Sequence, residues 1–262
     1  MFKKLFRRVN PSIGLEGNVV NDAKDIGLTP GYVLPTDQSK VLFFEDDFFY
    51  YYRTSSWPWY SLVGSSGQLS FVLNAIDTTN NPGLAKFITN DTVGSYATMS
   101  TGAYGSFMLG GGENKITVIA KMNDLSVAGD VSMWGFGARY LSDGGWDDID
   151  TWDDALMFVY DKGTSDNWLA VTRKNGTATS TDTGIAVDTS FHKFEIIVNA
   201  GATSVEYKID DVSKATNTTN IPDDINLDRF MTGKRISVTA ESAQEMQVDY
   251  YSHSIELTNS RY

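Results

Sequence analysis

From Phe43 onward, apolar and polar positions alternate with a period of two. Val205, Tyr207 and Ile209 alternate with Glu206, Lys208 and Asp210. Phe194, Ile196 and Val198 alternate with Lys193, Glu195 and Ile197, and Ile116, Val118 and Ala120 with Thr117, Ile119 and Lys121. Successive side chains of a strand point to opposite faces, so this pattern predicts half-buried strands. Further strands are predicted over 69–74, 85–89, 95–100, 132–139, 155–160, 168–173, 235–240 and 246–257. Turn residues punctuate them: Asn81-Pro82-Gly83, Asn175-Gly176 and Asn199-Ala200-Gly201. Asn-Gly between two apolar runs is a signal for a type I′ hairpin. No helical period shows inside this region, and no internal repeat. Many short strands at regular spacing predict an all-β, two-sheet antiparallel sandwich.

The first 42 residues read differently. Gly14, Gly17, Gly27, Gly31, Pro11, Pro30 and Pro35 break any period. The segment is expected to be an extended N-terminal arm (1–42) without a core, ahead of a sandwich (43–262). At its tip, Phe2, Leu5 and Phe6 can share one face of a short amphipathic helix, with Lys3, Lys4, Arg7 and Arg8 on the other. Such a helix is marginal alone and needs a partner surface, so these seven residues are the expected anchor.

Composition narrows the function. The 262 residues are 41% hydrophobic and 21% charged, which is a globular balance. There is no cysteine, which excludes disulfides, thiolate metal sites and Cys nucleophiles. The net charge of −12 repels phosphate backbones, so nucleic acid is not an expected partner. The basic tip runs into Asn10-Pro11-Ser12 without the apolar run of a signal peptide. The longest uncharged stretch, 92–112, is rich in Gly, Ser and Thr, so no membrane span is expected.

A resemblance emerges along the second half of the chain. Thr181 to Ile196 leads into Val205-Glu206-Tyr207-Lys208-Ile209-Asp210-Asp211 and then to Asn220-Ile221-Pro222. Phe44-Glu45-Asp46-Asp47-Phe48 opens the region, Trp168 lies in a central strand and Val248-Asp249-Tyr250 closes it. Together, over about 43–258, these resemble the concanavalin A-like (LamG-like) jelly-roll domains of bacteriophage virion proteins. The resemblance implies that the two-sheet antiparallel sandwich is a concanavalin A-like jelly roll, and that it has a structural role in the particle. Asp211 stands where that family usually has Gly, and Asp tolerates left-handed backbone better than most residues.

Some enzymes of this superfamily are retaining glycosidases that use a Glu-x-Asp-x-x-Glu strand. The nearest segment, Asp148-Ile149-Asp150-Thr151-Trp152-Asp153, has Asp at both Glu positions and follows a Gly-rich loop. Asp148, Asp150 and Asp153 also offer hard oxygen ligands for calcium, although a solvated acidic loop is the simpler reading. Tyr50, Tyr52, Trp57 and Trp59 fall in a dense aromatic run. Core packing accounts for most such rings, an oligomer interface or a glycan platform for the rest. His192 and His253 lie in strand patterns without a recognisable catalytic partner, and no Gly-x-Ser-x-Gly elbow is present.

The resulting expectation is a non-enzymatic structural protein of a bacteriophage particle, assembled in the host cytoplasm. It is a minor capsid or decoration protein, anchored by its arm on major capsid or neck/tail proteins and repeated as a homo-oligomer. It has no cofactor other than the calcium considered above. The alternative is a carbohydrate-binding, fibre or tail module that contacts host-surface glycans.

Overall fold

The computed structural model describes residues 40–46, 48, 59–64, 67–72, 83–101, 107–123, 131–140, 152–237 and 244–260. Fifteen strands and no helix lie among them. They are β1 (Val41–Asp46), β2 (Tyr60–Gly64), β3 (Gln68–Val72), β4 (Leu84–Thr89), β5 (Tyr96–Ser100), β6 (Gly112–Met122), β7 (Val131–Tyr140) and β8 (Asp154–Asp161). There follow β9 (Asn167–Lys174), β10 (Thr177–Ala186), β11 (His192–Val198), β12 (Val205–Ile209), β13 (Val212–Asn217), β14 (Asp228–Ser237) and β15 (Gln244–Leu257). The first strand begins at Val41, two residues ahead of the expected boundary. The tip residues Phe2 to Arg8 and the rest of the expected arm before Lys40 lie outside the described residues.

Two antiparallel sheets result. One runs β13-β12-β11-β6-β15-β4-β3, with β1 also paired to β15. Strand β15 is long enough to hold two neighbours on one side: β4 against Gln244–Val248 and β1 against Tyr251–Glu256. The other sheet runs β10-β9-β8-β7-β14-β5-β2. The expected all-β jelly-roll sandwich is therefore present.

The period-two rule places the core between the sheets. Phe194 of β11 meets Phe136 of β7 at 4.9 Å, Phe158 of β8 at 5.1 Å and Trp168 of β9 at 4.9 Å. These edge-on contacts knit the two layers together. Two phenols cross the sandwich. The Tyr251 hydroxyl donates to the Gly137 carbonyl at 2.9 Å, and the Tyr207 hydroxyl donates to the Val171 carbonyl at 2.6 Å.

Two hairpins have the turn chemistry that the sequence suggests. Asn175 and Gly176 both take positive φ, 48° and 73°, between β9 and β10. Asp210 and Asp211 do the same, at 51° and 65°, between β12 and β13. Both are two-residue type I′ turns. The second carries Asp where glycine would sit without strain.

β7 and β8 are buried on both faces. Met133, Met157, Val159, Leu169, Val171 and Phe230 form a second apolar cluster on the outward side of the seven-stranded sheet, together with Trp152 and Ala155. Alternation accounts for it: the neighbours Trp134, Phe136, Leu156, Phe158, Trp168 and Met231 face the main core.

Candidate ligand site

The aromatic run predicted as platform or interface divides. Tyr50, Tyr52 and Trp57 lie outside the described residues. Trp59 is 4% exposed. Its ring packs edge-on against Tyr251 at 5.2 Å and Phe44 at 5.4 Å, and its Nε1–H donates to Asp46 Oδ2 at 2.9 Å. Asp46 Oδ1 accepts the Phe48 N–H at 2.8 Å. Trp59 is thus a core residue, and an outward-facing platform role does not extend to it. The Phe-x-Asp-Asp-Phe opening does its work here, with Asp46 satisfying one buried indole and one backbone N–H.

Of the expected calcium ligands, Asp148 and Asp150 lie outside the described residues. Asp153 is half-buried, and its carbonyl accepts the Gly176 N–H at 2.7 Å. Among the described residues no three His, Asp or Glu side chains gather as a metal site.

The neighbouring Trp152 belongs to a closed cluster on the outward face of the seven-stranded sheet. The Arg139 guanidinium lies 4.5 Å from the Trp152 ring and 5.5 Å from the Phe230 ring, and those rings meet at 4.4 Å. Register sets Arg139 of β7 directly opposite Asp228 of β14. Burial pushes the Arg139 pKa down to about 9, against the opposing pull of Asp228. Arg139 is 1% exposed, so this cluster presents no open surface.

Among the described residues, an open concavity lies at one end of the sandwich. Strand β1 brings Leu42 and Phe43 beside the end of β15, where Leu42 pairs with Ile255. Residues 107–111 cross from the seven-stranded sheet to the start of β6. They are held by a bridge between Phe107 and Leu227, with N···O distances of 3.2 and 2.7 Å, and by the Thr258 N–H on the Gly111 carbonyl at 3.2 Å. The Leu257 N–H closes the frame on the Lys40 carbonyl at 2.7 Å. Between these segments is a pocket of about 350 Å³ walled by Leu42, Phe43, Phe107, Met108, Arg229 and Leu257. Its rim is unusually apolar for surface: Phe43 is 41% exposed and Met108 50%.

Among the described residues that line the pocket, one is charged. The Arg229 guanidinium lies 4.7 Å from the Phe44 ring and 5.3 Å from the Phe107 ring. Partial burial lowers its pKa, which Tyr251 and Asp228 oppose. Behind Phe107, at 4.3 Å between ring centroids, sits His253. Asn114 donates Nδ2–H to the Gly112 carbonyl at 3.0 Å, so its Oδ1 accepts from His253 Nε2–H at 3.1 Å. The Nδ1 of His253 is left as a buried acceptor without a partner. Burial, helped by the charge of Arg229, holds His253 well below the usual imidazole range, so it is neutral.

His253, which the sequence offered no catalytic partner, is buried behind the pocket wall. The other residues of the pocket carried no signal in the sequence. They come from four separated segments and meet only through the pairing of β1 with β15 and the Phe107–Leu227 bridge.

The sandwich is of the concanavalin A-like jelly-roll class. Residues 80–249 match the family described as SO2946-like, C-terminal domain, and the chain belongs to that family. The protein of unknown function SO2946 from Shewanella oneidensis MR-1 shares the fold at a TM-score of 0.61 and 14% identity, over 92% of this chain and 95% of that one. An endo-1,3-β-glucanase from Streptomyces sioyaensis is similar at 0.58 and 14%, over 86% and 100%. The carbohydrate recognition domain of Emp47p is similar at 0.54 and 9%, over 86% and 100%. No curated protein sequence matches the chain.

These likenesses establish the fold, and they correct one expectation. The sequence, without cysteine, a placed histidine or an intact Glu-x-Asp-x-x-Glu strand, points to a non-enzymatic chain, yet the same sandwich is carried by a glucanase. The absence of these signals is therefore no ground for excluding catalysis. SO2946 is of unknown function, and a glucanase and a carbohydrate recognition domain lend no support to the expected capsid role.

Proposed function

We propose that this domain binds carbohydrate, and that the pocket between β1, the end of β15 and residues 107–111 receives the sugar. The observation that carries the reading is the composition of the pocket wall. Phe43, Leu42 and Met108 offer exposed aromatic and aliphatic surface, Phe107 and Leu257 line the wall behind them, and the Arg229 guanidinium makes part of the wall polar. A pyranose has the complementary make-up: an apolar C–H face and a polar edge. A volume of about 350 Å³ is at the small end of ligand pockets and suits one or two sugar rings. The fold supports the reading, since it is shared with a glucanase and a carbohydrate recognition domain. It also favours the glycan-binding alternative drawn from the sequence over the capsid reading.

The test is a glycan array probed with the full chain and with Phe43→Ala. Phe43 is exposed enough for its truncation to leave the core intact. The reading expects a defined set of glycans to be retained by the wild type and lost by the variant. Binding that is unchanged by Phe43→Ala would move the site elsewhere, and no binding to any glycan would remove the proposal.

A further inference from the structure

We infer that the pocket grips its sugar by an apolar substituent, and that the ligand is a 6-deoxyhexose whose C6 methyl sits over Gly111. This rests on the carbohydrate reading above and names the class of sugar within it. Three glycines, Gly110, Gly111 and Gly112, carry the chain from Leu109 into β6. The fold itself calls for two of them. Gly110 has a φ of 89°, which disfavours any side chain, and a Cβ on Gly112 would stand 2.2 Å from the Glu256 carbonyl oxygen. Gly111 has neither reason. Its φ lies outside the left-handed range, and among the described residues no atom lies within 4 Å of where its Cβ would be. Yet Gly111 lines the pocket. Glycine leaves the backbone bare for the close approach of a ligand, which accounts for this one.

Carbon surrounds this bare backbone. Leu42 pairs with Ile255, and strand side chains repeat their face every second residue, so Leu42, Ile255 and Leu257 form one aliphatic wall. Phe107 and Met108 line the pocket from the segment that leads to Gly111. Backbone donors that frame the pocket are already used: the Phe107 N–H on Leu227, the Leu257 N–H on Lys40 and the Thr258 N–H on Gly111. A hydroxyl pressed against these walls gives up water and meets carbon, whereas a methyl group gains by leaving water. In a 6-deoxyhexose the C6 methyl extends the C–H surface of the ring. One edge of the sugar is then apolar, and the ring hydroxyls stay free to face solvent.

Methyl α-L-rhamnoside and methyl α-L-mannoside differ only in a methyl against a hydroxymethyl group at C5. The same holds for methyl α-L-fucoside and methyl α-L-galactoside, and for methyl 6-deoxy-β-D-glucoside and methyl β-D-glucoside. The full chain is titrated with each of these glycosides by ligand-observed NMR. In at least one pair the 6-deoxy member should bind roughly ten- to a hundredfold more tightly, the range in which an apolar pocket discriminates one added group. Gly111→Ala puts a methyl group of the protein where that of the sugar would sit. It should weaken the 6-deoxy sugar about tenfold or more and leave the melting temperature unchanged, because the new Cβ meets no protein atom. Met108→Gln, at an exposed rim position, should narrow the preference within the pair. Equal affinities within every pair, or tighter binding of the hydroxymethyl members, would overturn the inference and leave carbohydrate binding standing. Affinity unchanged by Gly111→Ala would overturn it as well. If none of these glycosides binds, the inference falls, and carbohydrate binding stands only where glycans on the array are retained. No binding to any glycoside or glycan would remove both readings.

Discussion

The hydroxyl of Tyr251 on β15 donates to the carbonyl of Gly137 on β7 at 2.9 Å, across the full thickness of the sandwich. The phenol is wholly buried, and desolvation raises its pKa, opposed by Arg229. It is therefore a neutral donor at any pH where the protein is folded. Replacing it with Phe keeps the ring contacts to Trp59 and Phe44 and removes only the bond. Tyr251→Phe should lower stability by about 1–2 kcal/mol, read as a shift in the denaturant midpoint with an unchanged slope. No change would mean that the bond is not formed in solution.

The acceptor is also a sensitive position. Gly137 has a φ of 150°, and a Cβ there would stand 2.1 Å from the Leu156 carbonyl oxygen. Gly137→Ala must therefore strain the backbone and push β7 from β8, costing about 3 kcal/mol or more. Gly176→Ala is the control. Its φ of 73° is also left-handed, but no atom lies within 4 Å, so the loss should be only about 1 kcal/mol. Thermal melts of the two variants should rank in that order.

His192 bridges two carboxylates, with Nδ1 2.6 Å from Asp210 Oδ2 and Nε2 3.1 Å from Asp188 Oδ1. Partial burial disfavours the imidazolium, but the two carboxylates outweigh it and raise the pKa above 6.5. Burial likewise opposes ionisation of Asp188, and hydrogen bonds from Ser190 and His192 outweigh it and lower its pKa below 3.8. The histidine contribution is complete below its unfolded pKa and is lost as pH rises through the higher folded value. The Asp188 contribution is complete above its unfolded pKa and is lost as pH falls through the lower folded one. The cluster should therefore stabilise most between about pH 4.5 and 6. Melting temperature measured from pH 5 to 9 should fall, and His192→Gln should flatten that fall. An equal slope in the variant would assign the pH dependence to other groups.

Asp211 holds a φ of 65° in the second position of its hairpin turn. Asp211→Gly removes the cost of the left-handed conformation but also the 2.6 Å ion pair with Lys193. Exposed pairs of this kind contribute little. The net effect should be a gain of about 0.5 kcal/mol, visible as a small rise in melting temperature.

The strands that sequence periodicity locates are those with one face on the core and strong β-formers on it: β6, β11 and β12. The Asn175-Gly176 turn is legible because only a few residue pairs accept two positive φ values. β10 and β13 carry no such signal. They are edge strands made largely of Thr, Ser, Ala and Lys, and few of their side chains reach the core. β14 begins at Asp228, seven residues before the predicted strand at 235. Gly233 interrupts its alternation, and the Trp134 ring occupies the space that a side chain there would fill. The pocket was illegible for a different reason. Leu42, Phe107, Arg229 and Leu257 share no local spacing, and only the finished sandwich brings them together. The tip residues 2–8 and the acids Asp148 and Asp150 lie outside the described residues, and their expected roles stay as sequence expectations.

The most direct test of the account is a chemical-shift map. The full chain, labelled with ¹⁵N, is titrated with the best ligand from the glycan array, and the shifted backbone amides are placed on the fold. The account predicts that the shifts centre on Leu42, Phe43, Phe107, Met108 and Arg229 at the β1–β15 end of the sandwich. Shifts centred instead on Trp152, Met157 and Phe230, on the outward face of the seven-stranded sheet, would contradict it.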